Sequence, residues 1–147
     1  MIESQHREFE ETEGAFLSID PILKTFVRFA EEQDLNLGVT LTVHGLLIAG
    51  NIVSYQRYIE EIAKGFESAT GNKEISQILA ESYHNANQEY LKIRREKGLE
   101  EFFPPLYIHL SDARFMSGGK MVQTRTYWRG RLDEVDGFFL GIMQNIQ

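Results

Sequence analysis

Leu37-Gly38-Val39-Thr40-Leu41-Thr42-Val43-His44-Gly45-Leu46-Leu47-Ile48-Ala49-Gly50-Asn51-Ile52 is the stretch that decides the fold. Leu37, Val39, Leu41 and Val43 share one face of an extended chain, and His44-Gly45 has the composition of a two-residue hairpin turn, with glycine supplying the positive φ. With those two residues as the loop, Val43 faces Leu46, Leu41 faces Ile48, Val39 faces Gly50 and Leu37 faces Ile52. A slip of one residue would turn this apolar set to solvent, so the pattern predicts the register as well as the hairpin.

Helices flank the hairpin. Upstream, Asp20-Pro21 is a helix start, with Asp to accept orphan amides and Pro fitting the first turn. Leu23, Phe26, Val27 and Ala30 follow at helical spacing, giving a helix over roughly 21–33. Downstream, Ser54 is placed to cap a helix carrying Tyr58, Ile59, Ile62 and Phe66, stopped near Thr70-Gly71-Asn72. A further helix over roughly 73–97 has Ile75, Ile78, Leu79, Ala86, Tyr90 and Ile93 as its apolar stripe, and Gly98 is its expected stop.

After Pro104-Pro105, Leu106, Ile108 and Leu110 mark a strand whose phase shifts at Ser111-Asp112, the mark of a bulge. Gly118-Gly119 reads as the next hairpin turn. Beyond it, Val122, Thr124, Thr126, Trp128 and Leu132 fall on one face of a long strand. Asp136-Gly137 reads as another turn, followed by a last strand with Phe138, Leu140, Ile142 and Ile146. The predicted class is α+β, an antiparallel sheet of about five strands in a two-plus-three arrangement with about three helices packed on one face.

At 147 residues the chain has the length of one domain with one core. Residues 1–14 are polar and acid-rich, with Glu8, Glu10, Glu11 and Glu13 close together, and are expected to form a mobile arm. Residues 15–147 would then be a single domain. The formal net charge of −7 repels nucleic acid and anionic membranes unless a local basic patch intervenes. No apolar run approaches the ~18 residues of a membrane span, and the first residues lack the make-up of a signal peptide. A chain with no cysteine forms no disulfide and fits a reducing compartment, so a cytoplasmic location is expected.

Chemistry-bearing motifs are sparse. His6, His44, His84 and His109 are scattered, with no pair at the i, i+4 spacing of a helical metal site. Asp133-Glu134-Val135-Asp136-Gly137 lacks the spaced ligands of a calcium loop and reads as a hairpin turn. Gly118-Gly119-Lys120 lacks the rest of a phosphate loop. No nucleophile elbow is present, and thiol catalysis is excluded. No cofactor, metal site or catalytic residue is expected, and the chain is read as non-enzymatic.

Arg125, Tyr127, Arg129 and Arg131 form the one concentrated basic and aromatic face. It reads either as a solvated strand face or as a docking surface, since arginine binds carboxylates or phosphates in a bidentate manner and tyrosine adds rigid contact area. Trp128 points the other way and is expected to be buried as a core anchor.

The stretch Tyr127-Trp128-Arg129-Gly130-Arg131-Leu132-Asp133-Glu134-Val135-Asp136-Gly137-Phe138-Phe139-Leu140-Gly141 resembles the signature of the GvpU family of gas-vesicle accessory proteins. Leu37 to Gly45, Ile48-Ala49-Gly50 and Tyr107-Ile108-His109-Leu110 are similar to further blocks of that family. The acidic arm and the charged helix around Lys92 to Lys97 depart from it. The resemblance implies a non-catalytic role in forming or organising gas vesicles, with Trp128, Gly130, Asp136, Gly137, Phe138, Leu140 and Gly141 as a structural signature. Expected partners are other copies of the chain and gas vesicle proteins, in the cytoplasm or on the vesicle. Self-association would use the exposed sheet edge or the Arg125, Arg129, Arg131 face, with the acidic arm as a partner for that face. The alternatives are a nucleic-acid-binding small barrel, suggested by the apolar-glycine rhythm of Leu41 to Ile52, and a ligand-binding or enzymatic cone, which needs a deep polar pocket.

Overall fold

A computed structural model of the chain describes residues 18–102 and 106–143, so the predicted arm over 1–14 and Ile146 lie outside the described residues. The elements are α1 (Pro21–Gln33), β1 (Leu37–Val43), β2 (Leu46–Val53), α2 (Tyr55–Glu67), α3 (Lys73–Phe102), β3 (Tyr107–Ser117), β4 (Lys120–Arg131), a short 3-10 helix (Leu132–Glu134) and β5 (Gly137–Leu140). Among the described residues, three helices and one antiparallel sheet of five strands confirm the α+β class.

The first hairpin forms in the register its sequence dictates: Leu37 pairs with Ile52, Val39 with Gly50, Leu41 with Ile48 and Val43 with Leu46. His44 and Gly45 both take positive φ, 50° and 82°, as the turn requires. Asp20 caps α1 by accepting the amides of Ile22 and Leu23, and Ser54 caps α2 through the amide of Arg57. The bulge expected at Ser111-Asp112 is present: three steps along β3 from Leu110 to Ala113 face two along β4 from Trp128 to Thr126, and Asp112 has φ 53°. Gly50 lies opposite, where a Cβ would come within 2.8 Å of the Ser111 carbonyl. Only glycine lets the bulged backbone come that close.

The strand order is β4-β3-β2-β1-β5, which corrects the two-plus-three arrangement. Asp136-Gly137 is not a hairpin turn. The chain leaves β4 at one edge of the sheet and pairs β5 with β1 at the other, Gly137 opposite Thr42 and Leu140 opposite Val39. Following the register from Arg131 through Tyr107, Val53 and Leu37, Gly137 stands about eight residues along the strand axis from Arg131. Across four strand spacings in a flat sheet that displacement is about 32 Å. The six Cα steps from Arg131 to Gly137 reach at most about 23 Å. The sheet is therefore coiled, and the link spans its concave side. Leu132 and Val135 of that link enter the core formed by Val39, Leu41, Ile48, Ile52, Ile108 and Leu110 with Leu23, Val27 and Ala30 of α1.

Hydrogen bonds pin the link to the first hairpin. The His44 amide donates to Asp136 Oδ2 at 2.8 Å, the Asp136 amide donates to the Thr42 carbonyl at 2.9 Å, and the His44 Nε2 lies 2.6 Å from Glu134. The last strand is also shorter than expected. It stops at Leu140, Gly141 turns the chain at φ 97°, and Ile142 packs beside Gly38 on the convex face. Thr40 fastens this tail, donating to the Gly141 carbonyl and accepting from the Met143 amide.

The helices are divided between the faces, which corrects their expected placement on one. Residues of β3 alternate, so Ile108 and Leu110 face α1 while His109 faces Tyr55 and Tyr58 of α2. Thr40, Ala49, Val53 and Ser111 are also buried, and α2 with α3 behind it supplies the second layer. The inward line of α3 carries Ala80, Tyr83, Asn87 and Tyr90; Ile75 and Ile78, expected in the stripe, are 55% and 56% exposed, and Leu79 is exposed as well. Small Ala63 and Ala80 are buried between the two helices, allowing close approach that large apolar side chains would prevent. Gly98 does not end α3, which runs to Phe102, two residues short of Pro104.

Trp128 is half-buried rather than fully buried, because β4 is an edge strand and Val122 and Thr126 on the same face remain exposed. Its indole packs against the core and lies over Gly130, where a Cβ would fall 2.1 Å from the ring. Gly130→Ala is expected to expel the indole and cost about 1–3 kcal/mol. The single tryptophan reports this directly as a red-shifted fluorescence maximum alongside a lower urea midpoint.

Candidate protein-binding face

Extended alternation along β4 puts Arg125, Tyr127, Arg129 and Arg131 on the convex face, opposite to Trp128 and Gly130. The structure gives each side chain a local anchor. Arg125 lies 4.0 Å from Asp112, both exposed, an ion pair worth little in water. Tyr127 is half-buried, its ring 6.5 Å from that of Tyr58. The Arg129 guanidinium stands 4.0 Å above the Tyr107 ring, a cation–π contact across the β3–β4 pair. Arg131 forks onto Asp133 with bonds of 3.1 and 2.7 Å, and its pKa rises through that hydrogen bond and the charge of Asp133. Arg129 and Arg131 are thus held by close partners at the β4 edge, whereas Arg125 is held only weakly.

Beneath this face lies a buried polar layer that the sequence did not single out. His109, 5% exposed, is covered by Tyr55 and Tyr58 with ring centroids at 5.7 and 4.8 Å. Burial, and then the positive charge of Arg129, pushes its pKa down to about 4, so the ring is neutral. Tyr55 also rests on Tyr90 of α3 at 4.3 Å. Glu31, near the end of α1, ties the layer together: one carboxylate oxygen accepts the Tyr55 amide at 2.6 Å and the other the Tyr90 hydroxyl at 2.9 Å. The Arg94 guanidinium bonds the Glu31 carbonyl and lies 3.8 Å from its carboxylate. Burial pushes the Glu31 pKa up against these three favourable contacts. Its only sequence signal was an acid at the end of an amphipathic helix, which normally faces solvent.

The concave side is filled by Ile108, Leu110 and Leu132 rather than by convergent polar groups. Among the described residues, no group of three or more His, Asp or Glu side chains is placed to hold a metal ion, and no helix is long and apolar enough to cross a membrane. His44 and His84 each meet a glutamate, Glu134 and Glu67, instead of each other.

A coiled antiparallel sheet with an apolar concave core and a cationic edge defines an α+β protein. Residues 20–143 match the family model described as Gas vesicle protein GvpU-like, and the chain belongs to that gas vesicle protein family, whose members are generally structural or accessory rather than catalytic. Comparison with curated proteins and with solved structures gave no match.

Two outcomes follow for the buried layer. Glu31→Ala removes the acceptor of the Tyr55 amide and of the Tyr90 hydroxyl and should cost about 2–4 kcal/mol, with Glu31→Gln losing less, as read by urea denaturation. His109 stays neutral in the fold while the unfolded chain takes up a proton below pH 6.5, so its contribution is present above that pH and is lost as pH falls toward about 4. The loss approaches about 3 kcal/mol. Glu31 titrates with the opposite sign in parent and variant alike, so the difference in pH-stability curves between parent and His109→Phe isolates the histidine.

Proposed function

We propose that this chain is a non-enzymatic accessory protein of gas vesicle formation or organisation, working in the cytoplasm or on the vesicle by protein–protein binding and self-association. The observation that carries this reading is the β4 face, where Arg125 and Arg129 stand exposed on an edge strand with Tyr127 between them. Arginine beside tyrosine is the composition of a protein-contact surface, and the Arg129 guanidinium is already positioned over the Tyr107 ring. Carboxylates on a vesicle protein are the matching chemistry. Nucleic acid is disfavoured because the chain carries a net charge of −7 and Arg131 is already occupied by Asp133.

Co-flotation with gas vesicles tests the proposal. Arg125→Glu/Arg129→Glu should lower the vesicle-bound fraction at least about tenfold while shifting the melting temperature by only a few degrees, since both side chains are exposed. Raising salt to about 1 M should weaken the parent in the same direction. Equal flotation of variant and parent would refute the β4 face as the contact.

A further inference from the structure

The cationic β4 face has a chemical complement in its own chain. Glu8-Phe9-Glu10-Glu11-Thr12-Glu13 carries four carboxylates and no base. That block lies outside the described residues, but the place where the chain joins the fold is defined. Ile19 lines a pocket with Leu106, Tyr107, Arg131 and Asp133. The chain therefore enters the fold at the Arg131 end of β4, beside the Tyr107 ring on which the Arg129 guanidinium stands.

Length decides which arginines the block can meet. Along β4, Arg129 lies about 7 Å from Arg131 and Arg125 about 20 Å from it. The chain from Ile19 back to Glu13 reaches at most about 22 Å, and back to Glu8 at most about 40 Å. All four carboxylates are thus within reach of Arg129, and those of Glu8, Glu10 and Glu11 within reach of Arg125. The arginines differ in what already meets them. Among the described residues, Asp133 and Glu134 lie on Arg131, Asp112 stands 4.0 Å from Arg125, and Arg129 has an aromatic ring but no carboxylate beside it.

We infer that residues 8–13 dock on the chain's own β4 face, pairing their carboxylates with Arg129 and Arg125 and so covering the surface proposed for vesicle contact. This rests on the β4 reading and adds its regulation: the segment and the vesicle compete for the same guanidiniums. Exposed ion pairs are individually weak, and the tether offsets that weakness, because a short link holds the acidic block at an effective concentration in the mM range. The same carboxylates on another molecule lack that advantage. The result is a salt-sensitive mask, displaced where a vesicle surface presents many carboxylates at once.

Digestion of the free, full chain with a glutamyl endopeptidase tests docking without vesicles. Cleavage after Glu10, Glu11 and Glu13 should be at least about threefold faster in Arg125→Gln/Arg129→Gln than in the parent, with a ratio independent of protein concentration. Arg129→Lys keeps the charge and supplies an amine, so carbodiimide should join position 129 to Glu10, Glu11 or Glu13 within one chain. Replacing Glu8, Glu10, Glu11 and Glu13 by Gln should raise the vesicle-bound fraction at low protein concentration at least about threefold. Equal cleavage of parent and β4 variant, with no coupling at position 129, overturns the inference. Coupling only between two chains, or protection that grows with protein concentration, overturns it in favour of a second copy. Protection and coupling within one chain, with flotation unchanged by the four Gln substitutions, uphold docking and refute β4 as the vesicle contact, so the two readings fail separately.

Discussion

Six Cα steps between Arg131 and Gly137 have to carry the chain from one edge of the sheet to the other. That length constraint governs the rest of the molecule, because a flat sheet of this register cannot be spanned by so short a link. Coiling brings the edges within reach, creates a concave side, and gives α1 a cavity to fill. Leu132 and Val135 then become core residues although they belong to a connection. The family signature acquires a physical meaning from the same constraint. Glu134 meets the His44 ring, Asp136 caps the turn amide of His44, Gly137 allows the link to reach Thr42, and Gly130 accommodates the Trp128 indole.

The convex side is built by different means. Its buried layer is mixed, Thr40, His109, Ser111, Asn87 and Glu31 lying among Ala49, Val53 and Ile59. Polar groups are costly to bury unless they are bonded, and Thr40 and Glu31 are each bonded at two or more points. His109 Nε2 and Asn87 Oδ1 are buried without a hydrogen-bond partner, which fits the neutral form of the histidine and makes this layer a less stable place than the apolar core. Glu31 is central because it joins the end of α1, the first turn of α2 and the middle of α3.

Membership of the GvpU-like family agrees with a molecule whose interior is filled and whose distinctive features are on its rim. Among the described residues the two sheet edges differ in character, β4 carrying Lys120, Arg125, Arg129 and Arg131 and β5 exposing Phe139 and Leu140.

The register of the first hairpin, the caps at Asp20 and Ser54, the bulge at Ser111-Asp112, the turn at Gly118-Gly119 and the alternation that groups Arg125, Tyr127, Arg129 and Arg131 were all determined by the sequence alone. Each depends on residues close together in the chain, where side-chain period and turn chemistry act directly. The placement of β5 beside β1, the division of helices between two faces, the burial of Glu31 and the exposure of Ile75 and Ile78 were decided only by the tertiary structure. Asp136-Gly137 has the local chemistry of a hairpin, yet whether the next strand pairs with its predecessor depends on which sheet edge is open and on the link's reach. An apolar stripe likewise marks what a helix could bury, whereas the face it does bury is set by how closely its neighbour must approach, and Ala63 and Ala80 settled that for α2 and α3.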